Sequence, residues 1–300
     1  MKRIAILLWT AGLLIAPAAP AQEQETKANK LEGTLAKIDR SGTITLGYRE
    51  ESFPLSYVSK AGPIGYSIDL CLAVLDEIKR EIDKSDVKIN YKLLTPETRI
   101  SAVKSGEVDL ECGSTTANKE RGMEVAFSPI MYVTGTKLMV KRKSGYRSYR
   151  NLAGKVVVVT AGTTNETALK ALNDKNKLGM NIISARDHEE SYTLVASGKA
   201  EAFATDDVLL YGLIARHKAD ADLIVVGEFL SFDPYGLMFR KDDAQMAEAV
   251  RRAFEVIAKN RDLVELYHKW FVRQTPTGER IGLAMNAQLS EIFRALGVED

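Results

Sequence analysis

Two passes through one order of elements constrain this chain more than any other feature. Thr43–Tyr48 reads as a strand. Ser67 is placed to cap a helix whose apolar residues, Ile68, Cys71, Leu72, Leu75, Ile78 and Ile82, recur at the helical period. Ile89, Tyr91 and Leu93 alternate with polar residues, as in a half-buried strand. A short helix is expected from about Glu97 to a glycine stop at Ser105-Gly106, and a strand at 108–112. The second half repeats this order: a buried strand at 155–159, a helix from about Asn165, a strand at 181–184, a helix at 189–196 stopping at Ser197-Gly198, and a strand at 201–205. A β-α-β-α-β order that runs twice predicts two similar α/β lobes.

The tail has no counterpart between the halves. A strand is expected at 236–240, helical patterns through about Phe271, and another helix at 286–296. If this tail packs back on the first lobe, the chain crosses between lobes twice. The expected division is lobe 1 at 33–130 and 233–300, lobe 2 at 134–229, and hinge crossings near 130–134 and 229–233.

The N-terminus reads as a secretory leader. Lys2 and Arg3 precede an apolar run too short to span a bilayer, and Ala19-Pro20-Ala21 is an A-x-A cleavage pattern. The expectation is a signal peptide at 1–21, a flexible polar segment at 22–32, and export to the periplasm. Removing Lys2 and Arg3 from 41 basic residues leaves 39 against 40 acidic ones. That balance gives no electrostatic case for nucleic acid or an anionic membrane. The two cysteines, Cys71 and Cys112, permit one disulfide in an oxidising compartment. Both also sit at core-like positions, which favours two buried thiols. The histidines, His188, His217 and His268, are far apart in sequence, so no metal site and no cofactor are expected.

Polar residues gather after the expected strands. Arg49 follows the first, and Ser114, Thr116 and then Arg121 follow the third. Thr163 and Thr164 follow 155–159, His188 follows 181–184, and Asp206 and Asp207 follow 201–205. Open α/β sheets bind ligands outside the carboxyl ends of their strands. A free amino acid suits such groups: a guanidinium and hydroxyls for its α-carboxylate, and a carboxylate for its α-ammonium. Arg49, Arg99 and His188 then remain as surplus positive groups, which points to an anionic side chain. Each residue also has a plainer reading. Arg99 reads as solvated surface, His188 as a loop histidine in a salt bridge, and Asp206, Thr163 and Thr164 as helix caps.

The segments 47–50, 111–116, 157–164 and 182–188, with Asp206-Asp207 and the 267–271 run, resemble those of the periplasmic solute-binding proteins of ABC amino-acid importers. The chain is most similar to the glutamate/aspartate branch of that family (solute-binding protein family 3), over nearly the whole mature length. The resemblance implies a two-lobed type II periplasmic binding protein fold with a ligand cleft between the lobes. It implies Arg121, Thr116 and the Thr164 loop at the α-carboxylate, Ser114 and Asp206 at the α-ammonium, and Arg49, Arg99 and His188 at the side-chain carboxylate. A monomer delivering its ligand to inner-membrane permease subunits is the expected partner arrangement. Glutamate against aspartate stays open, because Pro96 stands three residues before Arg99, where that branch carries a hydroxyl. Three other readings compete: a binder of glutamine or asparagine, a dehydratase-like enzyme using Glu50 or His188, and a ligand sensor for a receptor. The chain carries no G-x-S-x-G, P-loop or H-E-x-x-H pattern.

Overall fold

The computed structural model describes residues 30–298. The expected leader and residues 22–29 of the polar segment lie outside them. Two five-stranded sheets organise the described chain. In the first, Lys88–Leu93, Thr43–Tyr48 and Leu110–Glu111 run parallel, followed by antiparallel Met238–Arg240 and then Val125–Phe127. In the second, Asn181–Ala185, Val156–Thr160 and Ala202–Asp206 run parallel, followed by antiparallel Thr136–Lys141 and then Leu223–Val226. The doubled order thus appears as two sheets with one plan. The fourth strand of the first sheet comes from the tail, whereas every strand of the second sheet lies within 136–226.

Strand chemistry explains the second sheet. Val157 and Val159 bury on one face with Leu138, Val140 and Leu169, and Val158 buries on the other with Met139, Phe203 and Leu210. A continuous valine run suits a strand covered on both faces. In the first sheet, Ile44 and Leu46 pack with the helices Tyr66–Glu81 and Ala244–Lys259 in the largest core cluster. Trp270 and Phe271 of the wide turn His268–Val272 are buried in the same cluster. Between the sheets, Tyr132–Thr134 pairs antiparallel with Asp233–Tyr235. Tyr132 packs there against Phe271 with ring centroids 4.7 Å apart, and Tyr66 donates to the Met131 carbonyl at 2.9 Å.

Several local expectations change. The helix begins at Tyr66, and Ser67 does not cap it. Gly65 holds the N-cap position at φ 140°, a conformation other residues rarely adopt, and its missing side chain lets the Leu55 carbonyl close in. The Ser67 hydroxyl donates instead to the Gly113 carbonyl at 2.7 Å. Strand Lys88–Leu93 forms, but as a sheet edge bonded on one side, so Tyr91 and Leu93 are 41% and 44% exposed. Val108 lies outside the third strand, which is only Leu110–Glu111.

Cys71 and Cys112 are joined in a disulfide, with Cα atoms 6.1 Å apart. The expectation of buried thiols was right about burial, since both are 0% exposed. Burial does not reveal which side chains face each other. Here the apolar face of helix Tyr66–Glu81 lies over the end of strand Leu110–Glu111, and the two sulfurs meet. The bond closes a loop of 41 residues between helix and strand. Replacing both cysteines with alanine is expected to lower stability by about 2–4 kcal/mol. Urea unfolding, compared with the parent chain, measures it.

Candidate functional site

The carboxyl ends of the parallel strands bring the candidates together. Arg49 directly follows Thr43–Tyr48 and is fully buried. Its Nη2 donates to Glu51 at 3.3 Å, while Nε and Nη1 have no hydrogen-bond partner in the protein. Arg99 opens the helix Arg99–Lys104 and is 3% exposed, so the solvated-surface reading does not hold. Its Nη1 donates to the Ser114 carbonyl at 3.2 Å and to Thr115 Oγ1 at 2.8 Å, and Thr115 Oγ1 donates to Glu111 at 2.8 Å. Burial, reinforced by the neighbouring Arg121, pushes the Arg99 guanidinium down to about 9, so it stays cationic at neutral pH. Arg121, in the turn Arg121–Met123, donates to the Thr116 carbonyl at 3.0 Å.

Glu111 lies beneath these three arginines. Burial raises its carboxyl above the usual range, opposed by the charges of Arg99, Arg49 and Arg121. One of its oxygens, Oε1, has no partner. Unpaired buried polar atoms on Arg49, Arg99 and Glu111 are uncommon in folded proteins, and here they concentrate in one place. The Ser114 hydroxyl donates to Ser52 at 3.2 Å.

The second lobe supplies the other wall. Thr163 caps the helix Thr164–Asn176, accepting from the Glu166 N–H at 3.2 Å and donating to the Thr160 carbonyl at 2.7 Å. Thr163, Thr164 and Asn165 line the pocket, so the positive end of this helix faces the cleft and favours an anion. His188 opens the helix His188–Ala196 and is 2% exposed, with Nδ1 2.8 Å from the Thr160 hydroxyl. Burial, then the charges of Arg49 and Arg99, hold its pKa well below the usual histidine range. It contributes a neutral ring to the site, not a positive charge. The loop salt bridge belongs to other residues: Asp187 pairs with Arg186 at 2.9 Å, and His217 meets Glu189 at 2.6 Å.

Asp206 occupies the N-cap position of Asp207–His217, yet its carboxylate makes no cap bond. It accepts from Asn165 Nδ2 at 2.8 Å and from the Tyr235 hydroxyl. Burial pushes this carboxyl up to about 8, and the nearby Asp233 adds to the rise. Asp207 accepts instead from Thr134 at 2.6 Å.

Eight of the nine sequence-derived candidates line one small interlobe pocket, together with Asn165 and Leu209. Arg121 stands outside that lining, bonded to the backbone of Thr116. The cavity is about 10 Å³, room for a single water. A separate pocket of about 730 Å³ is lined by acids and bases together, among them Glu50, Glu51, Asp187, Arg186, Arg216 and His217. Sequence reasoning missed Asn165, Leu209, Glu111, Thr115 and Asp233. Asn165 and Thr115 adjoin candidates and could have been included. Asp233 gives no signal, being a lone acid in a segment that reads only as a connection. Its carboxylate and that of Glu111 reduce the positive surplus counted from the sequence.

Among described residues, no group of His, Cys, Asp and Glu is placed to hold a metal ion, and no helix is long and apolar enough to cross a membrane.

Comparison with known proteins gives concordant relatives. The L-glutamate/L-aspartate-binding protein of Pseudomonas aeruginosa is 45% identical over 271 residues, covering 90% of this chain and 89% of that one. The glutamate/aspartate import solute-binding protein of Escherichia coli K12 is 37% identical over 288 residues, covering 96% of this chain and 94% of that one. Both are named as binding proteins and not as enzymes. Among solved structures, an ancestral amino acid-binding protein, a precursor of cyclohexadienyl dehydratase, superposes with a TM-score of 0.69 at 28% identity, covering 79% of this chain and 99% of that one. An ancestral arginine-binding protein bound to arginine gives a TM-score of 0.68 at 27% identity, covering 77% of this chain and 98% of that one. Residues 44–273 match a family that accounts for this fold and the kind of cleft it carries, and the chain belongs to the bacterial extracellular solute-binding proteins, family 3.

Proposed function

We propose that this protein captures an acidic L-amino acid, glutamate or aspartate, in the periplasm and delivers it as a monomer to the permease subunits of an ABC importer. The observation that carries the reading is the convergence of Arg49 and Arg99, with unpartnered N–H groups, and Asp206 in one interlobe pocket. The curated relatives named for glutamate and aspartate support it. In this reading Arg121 and the backbone N–H groups at the start of helix Thr164–Asn176 hold the α-carboxylate. Asp206 and Ser114 hold the α-ammonium. Arg49 and Arg99, with the neutral ring of His188, hold the side-chain carboxylate. A guanidinium fork matches a carboxylate in geometry as well as in charge. A cavity sized for one water cannot admit an amino acid, so uptake requires the lobes to separate about the paired crossings Tyr132–Thr134 and Asp233–Tyr235.

Calorimetric titration of the mature protein with glutamate, aspartate, glutamine and asparagine tests the reading. Saturable binding of the acids is expected, and preference for the amides would overturn the acidic assignment. Arg121→Ala should weaken binding by about 2–5 kcal/mol, because the ligand carboxylate would be buried without its cation. Proton linkage gives a further check. With its carboxyl raised to about 8, Asp206 is largely protonated at neutral pH, whereas an ammonium partner requires the ionised form. Binding should therefore release a proton below that pH, and affinity should rise as pH climbs from 6 towards 8. Titrations in phosphate and Tris, whose ionisation heats differ, measure the release. Asp206→Asn should abolish this component.

A further inference from the structure

Asp233 begins the second crossing strand and is 2% exposed. Its Oδ1 accepts from two hydroxyls on opposite lobes: Thr116 at 3.2 Å, from the segment after the first sheet's third strand, and Thr164 at 2.9 Å, the first residue of a second-lobe helix. The two hydroxyls are themselves 3.2 Å apart. Its Oδ2 accepts from Ser231, whose oxygen in turn takes the Thr136 N–H at 2.9 Å, so the carboxylate is held on both sides. The backbone is fixed as well: Ala117 N–H donates to the Pro234 carbonyl at 2.7 Å, and Gly236 N–H to the Thr115 carbonyl at 3.2 Å. Arg121 and Asp206 are the charged neighbours in electrostatic reach.

A hydroxyl has one proton to donate. Thr164 gives its proton to Asp233. Thr116 gives its own either to Asp233 or to Thr164. Neither hydroxyl then has a proton left for an α-carboxylate, which must rely on Arg121 and backbone N–H groups. On the binding-protein reading, we infer that Asp233 latches the two lobes together and positions Thr116 and Thr164, acting through their hydroxyls and not on the ligand. Both hydroxyls use the same oxygen, so an amide at this position keeps the latch while removing the charge. Alanine removes both.

Stopped-flow kinetics with glutamate, alongside solution X-ray scattering of the protein alone, test this. Without the shared acceptor for Thr116 and Thr164, Asp233→Ala is expected to release glutamate at least about tenfold faster, with the association rate within about threefold of the parent. Its radius of gyration without ligand should increase. Asp233→Asn should stay near the parent in both respects. Thr164→Val should also speed release, and its effect should not add to that of Asp233→Ala. An unchanged release rate in Asp233→Ala, an effect confined to association, or an Asp233→Asn variant as fast as alanine would overturn the latch. Additive effects of Thr164→Val and Asp233→Ala would assign the Thr164 proton to the ligand and overturn it too. Should Asp233→Ala not fold, faster release in Thr164→Val with Asp233→Asn unaffected carries the same decision. If the parent binds no acidic amino acid, the functional reading falls, while scattering still decides the latch.

Discussion

Burying three guanidinium groups at the carboxyl ends of one sheet is the constraint on which the rest of the molecule depends. Each ion taken out of water costs several kcal/mol unless charge and hydrogen bonds compensate. Glu111 provides the shared counter-charge, and Thr115 relays it to Arg99 through two bonds of 2.8 Å. That arrangement needs Glu111, Gly113, Ser114 and Thr115 held in one conformation. The disulfide at Cys112 and the Ser67 bond to Gly113 both tie this segment to helix Tyr66–Glu81. What looks from the sequence like a polar strand end is thus supported from below by a helix, a covalent link and a buried acid.

The same logic separates the roles of the two lobes. The first contributes the cations, on Arg49, Arg99 and Arg121. The second contributes a helix N-terminus, the neutral His188 and the carboxyl of Asp206. The arginines, with Glu111 among them, thus stand on one wall and Asp206 on the other. Close approach of the walls also depends on Gly212, where a side chain would meet the Phe53 carbonyl of the first lobe.

Much of this was legible in the residues. Helical period, valine runs and the paired Ser-Gly stops located the two β-α-β-α-β runs and the tail helices, because each reflects a local preference, but not helix Gly33–Ser41 or the strands Val125–Phe127, Thr136–Lys141 and Leu223–Val226. The gathering of Arg49, Thr116, Thr164, His188 and Asp206 was legible too, since it follows from strand direction alone. What escaped is non-local. The Gly65 cap depends on a carbonyl from Leu55, the disulfide on how a helix lies over a strand, and the Asp233 contacts on two segments over sixty positions away. Single residues were also misjudged where tertiary burial overrides local habit. Arg99 at a helix start normally faces water, and here the folded loop at 114–115 covers it.

The late arrival of the first sheet's fourth strand has a consequence for how the chain comes together. The second sheet is drawn wholly from the contiguous stretch 136–226, so it can form as soon as that stretch is available. The first sheet lacks its fourth strand until Met238–Arg240 arrives and slips between Leu110–Glu111 and Val125–Phe127. Until then the edge at Leu110–Glu111 is unpaired and the apolar face of helix Tyr66–Glu81 lacks its cover from Ala244–Lys259. Closing so long a loop is entropically slow. The early half of the chain must therefore wait for the late half, and the element that ends the wait is the strand following the second crossing.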